Sequence, residues 1–225
     1  MGARVAVIVF PGTNCELDVV EALEGLGGSP ELVFHIETDL HGADAVVIPG
    51  GFAHGDYLRT GALARFSPVM TAVTAHAAAG RPLVGICNGF QILTEAGLLP
   101  GALQKNTGLK FLCRTVACRV ETTRSALTGH AAAGDVLALP INHFEGAYRC
   151  DDATLTQLRA DDRVVLRYVD NPNGSLDSIA GVSNAAGNVV GLMPHPERAS
   201  HALLGSTDGL VLLESLLDVR VRARV

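Results

Sequence analysis

Apolar positions along the first hundred residues fall into short continuous runs separated by longer stretches of helical period. Arg4 to Phe10 is Val/Ile-rich without alternation, the pattern of a strand covered on both faces, and Pro11-Gly12 ends it. Thr13 and Glu16 have capping-box spacing, and Val19, Val20, Leu23 and Leu26 form one helix face that Gly27-Gly28 stop. Glu31 to His35 and Asp44 to Ile48 predict further strands, and Gly61 to Ala79 predicts a helix. Pro82 to Ile86 predicts a fourth strand. Strand and helix alternate here as in a doubly wound, mostly parallel sheet.

After Pro100 the rhythm changes. Phe111 to Glu121, Val136 to Ile141, Val164 to Tyr168, Ile179 to Ser183 and Val189 to Met193 read as strands joined mostly by turns, so this half carries antiparallel elements. Asp151-Asp152 and Asp161-Asp162 flank a short polar helix as solvated caps. A Leu/Val stripe from Leu210 to Leu217 predicts a closing helix against one sheet face. The fold class expected is α/β, a mixed, mostly parallel sheet flanked by helices, with extra antiparallel strands in the C-terminal half. Residues 1–225 are expected to form a single domain.

The net charge of -6, without a Lys/Arg cluster, argues against nucleic acid and anionic membranes as partners. Apolar runs such as Ala43 to Pro49, interrupted by Asp44, are far shorter than the roughly 20 residues that span a bilayer. The N-terminus does not read as a signal peptide. Five cysteines without framework spacing suit a reducing cytoplasm. Cys113 and Cys118 lack a second ligand pair, so zinc is a poor reading and both are expected to pack; no metal site is expected.

One cysteine stands apart. In Val84-Gly85-Ile86-Cys87-Asn88-Gly89-Phe90-Gln91-Ile92-Leu93 a buried strand runs into a cysteine bracketed by glycines, then a helix, with the spacing of a nucleophile elbow. Missing side chains at Gly85 and Gly89 let strand and helix approach, and the helix N-terminus favours negative charge on the sulfur. The alternative is a buried structural cysteine. A base and its orienting group are offered by Met193-Pro194-His195-Pro196-Glu197-Arg198, where the prolines are expected to hold the chain extended, so that His195 and Glu197 face one way. The other histidines show weaker patterns: His143 ends a strand and lines a site or fills a loop equally well, and His54 sits in a glycine-bearing loop. The Pro49-Gly50-Gly51 turn leaves backbone N–H groups accessible; that of Gly51, with that of Asn88, is expected to form an oxyanion hole.

These residues resemble class I glutamine amidotransferases, whose triad is Cys-His-Glu with the last two spaced as H-x-E. The resemblance runs nearly end to end. Phe10 to Cys15, Gly50-Gly51-Phe52 with Gly55 to Arg59, and Asn171-Pro172-Asn173-Gly174-Ser175 point within the family to glutaminase subunits of purine biosynthesis. The resemblance implies Cys87 as nucleophile, His195 as acid and base and Glu197 as orienter, with glutamine held by Gly50, Gly51, Phe52, Gln91 and His143. One departure is Asn142-His143-Phe144-Glu145-Gly146, where the family pattern has alanine before the histidine and glycine after it. It further implies a large ATP- and Mg²⁺-dependent synthetase subunit, joined in some versions by a small third subunit, that uses the ammonia to turn formylglycinamide ribonucleotide into the amidine. No G-x-x-x-x-G-K-[ST] or G-x-G-x-x-G stretch is present, so no cofactor is expected on this chain. Rival readings are an amidotransferase of another pathway, a cysteine peptidase or redox-protective elbow protein, and a non-catalytic binding module.

Overall fold

The computed structural model describes residues 2–218. Strand β1 (Arg4–Val9) leads into helix α1 (Glu16–Gly25), then β2 (Ser29–Phe34) and β3 (Ala45–Ile48). Helix α2 (Val69–Ala78) leads to β4 (Leu83–Ile86), which turns into α3 (Asn88–Glu95). The second half holds β5 (Ala102–Lys105), β6 (Leu112–Val120), β7 (Val136–His143), β8 (Glu145–Arg149), α4 (Asp152–Ala160), β9 (Val164–Tyr168), β10 (Ile179–Ser183), β11 (Val189–Leu192) and α5 (Leu210–Leu217).

Nine of these strands form one sheet in the order β2-β1-β3-β4-β11-β10-β9-β6-β7, and β5 pairs with β8 separately. The first five run parallel. The remaining four are antiparallel to their neighbours, as the turn-linked second half suggested. Because β1 lies between β2 and β3, the chain leaves it in opposite directions, which opens a crevice at the carboxyl ends of the parallel strands. Helices cover both faces: α1 meets α5 on one, and α2 and α3 share the short 3-10 turn Ala64–Phe66 on the other. The central strands β3, β4 and β11 are buried at every position, for instance Val46, Val47, Leu83 and Val84.

Three expectations change. The helix expected over Gly61 to Ala79 begins only at Val69, because Pro68 forces Ser67 into extended backbone (φ -65, ψ 143). Thr13 does not cap α1: its Oγ1 accepts the Phe10 N–H at 3.0 Å, closing the turn after β1, and Cys15 occupies the cap position without a side-chain bond. Of the two cysteines on β6, Cys118 is buried and its thiol is pushed up to about 12 by burial, whereas Cys113 is exposed rather than packed. Asp151 does cap α4, accepting the Thr154 N–H at 2.7 Å.

Candidate active site

Cys87 sits between β4 and α3 with φ 52 and ψ -104, a left-handed conformation that a side-chain-bearing residue holds only under constraint. The constraint is the packing of strand on helix. A Cβ on Gly89 would lie 2.0 Å from the Ile48 carbonyl oxygen, and one on Gly85 would lie 2.6 Å from the Gly89 backbone. No other residue type fits either position.

The candidate base, His195, follows the neighbouring strand. Parallel pairing of β4 with β11 sets Ile86 opposite Leu192, so both chains leave the sheet at the same edge. The Cys87 N–H donates to the Leu192 carbonyl at 2.8 Å, and the His195 N–H donates to the Pro140 carbonyl at 2.8 Å. Pro196 starts a short 3-10 turn, Pro196–Ala199, instead of extending the chain; proline tolerates the first helical position because its missing N–H is unused there. His195 and Glu197 still meet, since the turn brings Glu197 back under the ring.

The His195 Nδ1–H donates to Glu197 Oε1 at 2.6 Å, with both residues almost wholly buried. Nδ1 carries the proton because a carboxylate only accepts. Burial alone would make the imidazole less basic, but the Glu197 carboxylate and the Cys87 sulfur hold its pKa well above the ordinary histidine value. Among the described residues its Nε2 has no hydrogen-bond partner. The Cys87 thiol donates to the Asn142 carbonyl at 3.6 Å. Gly50 packs where these groups converge: a Cβ there would meet His195 Cε1 at 2.8 Å, Cys15 Sγ at 3.0 Å and Cys87 Cβ at 3.5 Å.

A cavity of about 210 Å³ opens above the sulfur. Cys87, His195, Gly51, Phe52, Gln91 and His143 line it, as do Cys15, Asp56, Thr60 and Glu145. Gly50 is not in the lining; its carbonyl accepts the Asn14 and Cys15 N–H groups at 3.3 and 3.2 Å. Gly51 has φ 152, and a Cβ there would strike Gly12 and Thr13 at 2.7 Å. Among the described residues neither its N–H nor that of Asn88 is spent on a protein acceptor. Gln91 lines the cavity, but its amide is engaged, accepting from Asn88 Nδ2 at 2.8 Å and donating to the Glu145 carbonyl. His143 donates from Nδ1 to Asn106 Oδ1 at 3.1 Å and, among the described residues, leaves Nε2 unpartnered. Burial and the nearby His195 lower its pKa to about 4, so the ring is neutral at physiological pH.

Cys15, Asp56 and Thr60 are site residues that the sequence pattern does not single out. Cys15 and Asp56 lie inside stretches that carry the resemblance, which is the only signal for them. Cys15, His195 and Glu197 are the one group of metal-ligating side chains among the described residues, with ligand atoms within 4.8 Å of one another. The Arg198 guanidinium, 3.3 Å from Cys15 Sγ, and the bond already joining Glu197 to His195 oppose a cation there. His54 lies away from the triad, edge-on to His35 at 5.3 Å and beside Phe10.

Residues 2–208 match the model of the CobB/CobQ-like glutamine amidotransferase domain. The chain belongs to this family. It is 55% identical to the phosphoribosylformylglycinamidine synthase subunit PurQ of Rubrobacter xylanophilus, over 95% of this chain and 97% of that one. It is also 55% identical to the subunit of the same name from Synechococcus elongatus, over 96% and 98%. A chain of the structure of PurLQS from Thermotoga maritima superposes with a TM-score of 0.90 at 42% identity, covering 97% of this chain and 99% of that chain. A glutamine amidotransferase from the same organism, at 16% identity and a TM-score of 0.57 over 96% of this chain and 90% of that chain, shares the fold.

Proposed function

We propose that the chain is the glutaminase subunit of phosphoribosylformylglycinamidine synthase, releasing ammonia from glutamine for a synthetase subunit in de novo purine biosynthesis. The observation that carries this reading is the in-register pairing of β4 with β11, which sets an elbow cysteine and a carboxylate-oriented histidine at one cavity.

The chemistry follows from the groups present. Cys87 gives its thiol proton to His195 Nε2 as Sγ attacks the side-chain amide carbon of glutamine, and the carbonyl oxygen takes the negative charge. The N–H groups of Asn88 and Gly51 receive that oxyanion; one such donor is worth about 3–4 kcal/mol of barrier. His195 gives its proton to the departing nitrogen, the C–N bond breaks and ammonia leaves a glutamyl thioester. His195 then takes a proton from water, which attacks the thioester and frees glutamate and the thiol. Glu197 keeps the ring in the tautomer this exchange requires. His143, neutral and with Nε2 free, is placed to accept a hydrogen bond from the substrate.

Ammonia protonates in bulk water, which favours direct transfer to the large synthetase subunit, with a small third subunit in the assembly. ATP and Mg²⁺ act on that partner and no cofactor acts here; the lack of a phosphate-binding loop supports this. No described helix is long and apolar enough to cross a membrane, and we assign the chain to the cytoplasm from its pathway.

A glutamine-analogue chloroketone should alkylate Cys87 and no other cysteine, and Cys87→Ala should abolish glutamine-dependent but not ammonia-dependent amidine synthesis by the complex. Loss of both activities, or cleavage of a peptide by a chain whose Cys87 stays unlabelled, sinks the reading.

A further inference from the structure

The segment from Phe52 to Arg59 carries an unusual backbone. His54, Asp56 and Leu58 all have positive φ (52, 52 and 69), as does Gly55 (69). Each side-chain-bearing residue in that region costs roughly 1 kcal/mol or more. The conformation is pinned from several sides. The Phe52 N–H donates to the Gly12 carbonyl at 2.8 Å and the His54 N–H to the Pro11 carbonyl at 2.6 Å. Arg59 forms a two-pronged pair with Glu95, at 2.6 Å on each prong.

The inner side of this loop is tied to the residue after the nucleophile. Ala53 N–H donates to Asn88 Oδ1 at 3.0 Å, and Asn88 Nδ2 donates in return to Asp56 Oδ1 at 3.1 Å. Phe52, Asp56 and Thr60 line the cavity. The outer side presents Tyr57 and Leu58, which are 73% and 86% exposed. Two large apolar side chains are therefore held in water on a strained, well-anchored backbone, one residue away from a direct bond to the oxyanion-hole asparagine.

We propose that Tyr57 and Leu58 are the docking surface for the ammonia-consuming synthetase subunit, and that docking is passed through Asp56 to Asn88, adjusting the oxyanion donor. Asp56 is thus a positioning residue. The proposal rests on the glutaminase reading. The occupant is the synthetase because the loop edges the cavity where ammonia is made, and ammonia reaches its consumer unprotonated only if that consumer covers the rim. The Arg59–Glu95 pair balances the charge beside the tip, so what the tip itself offers is the exposed pair Tyr57 and Leu58, suited to an apolar patch on the partner.

The test uses the complex reconstituted with its synthetase partners, with chloroketone labelling of Cys87 as a second readout. Tyr57→Ser with Leu58→Ser should weaken assembly tenfold or more in a titration, leave the isolated chain folded and leave ammonia-dependent synthesis intact. Asp56→Ala should assemble with unchanged affinity yet lose the partner-induced acceleration of labelling and at least tenfold in kcat for glutamine, with little change in KM. Asp56→Asn, which keeps the acceptor, should restore both. Normal assembly by the double variant, altered self-association without a change in partner affinity, or full acceleration in Asp56→Ala would each overturn the proposal. A wild-type complex that makes no glutamate and leaves Cys87 unlabelled would instead overturn the glutaminase reading.

Discussion

At the scale of single residues, the bond between Glu197 and His195 determines how the site responds to pH. The carboxylate holds the imidazole protonated well above its usual range, so the acid proposed for catalysis persists into alkaline solution. Glu197→Gln removes that charge, lowers the histidine's pKa and should move the alkaline limb of the kcat profile to lower pH. The loss in kcat should be roughly 10²–10⁴-fold, the range for a disabled acid–base pair. A limb that stays in place would show that Glu197 acts on something other than the ring. Cys87, His195 and Glu197 are legible in the sequence because each is flanked by residues with strong conformational consequences: glycines at the elbow, prolines at the turn. Thr13 is not, because its hydroxyl serves equally well in a turn and in a cap, and only the path of the chain after β1 decides between them.

Among the elements, the central parallel strands β3, β4 and β11 are readable because every position is buried and none is charged. β5 and β8 escape notice for the opposite reason. Ala102–Lys105 is largely exposed and Glu145–Arg149 mixes charge, glycine and tyrosine, so neither has a period of two. The helix expected from Gly61 fails at one dipeptide, Ser67-Pro68, whose effect on the preceding residue outweighs the apolar pattern. The contact of α3 with β3 and β4 leads to a sharp expectation. Gly89→Ala would drive a methyl into the Ile48 carbonyl oxygen, so strand and helix must separate. The cost should be about 2–4 kcal/mol, on the scale of overpacked cores and strained backbone. Chemical denaturation would measure it, and a shift below about 0.5 kcal/mol, the scatter of ordinary surface substitutions, would mean that the elbow is far more compliant than its packing implies.

Over the whole molecule, buried histidines of opposite character set the pH range of stability. His143 is held neutral with a pKa of about 4 against the ordinary 6.5. Below pH 6.5 the unfolded chain takes up a proton there that the folded chain refuses, so stability should fall between pH 6.5 and about 4. The contribution is about 3 kcal/mol. His195 works in the other direction: its raised pKa contributes stability that is complete below 6.5 and is lost as pH climbs through the folded value. His143→Gln should therefore flatten the acid side of a melting-temperature profile and leave the alkaline side alone; an unchanged acid side would count against a neutral buried ring.

The pairing of β4 with β11 also has a consequence in time. Cys87, the proposed nucleophile, emerges from the ribosome well before His195, its proposed base. Only a long-range parallel contact, the slow kind to form, joins them. A growing chain therefore carries an ordinary thiol, and the partner that would activate it arrives only when the last sheet strand is seated. Ribosome-bound fragments ending before Val189 should react with the glutamine chloroketone no faster than with a simple chloroketone that lacks the glutamine part, so that an amide-splitting thiol exists only after the fold around it has closed.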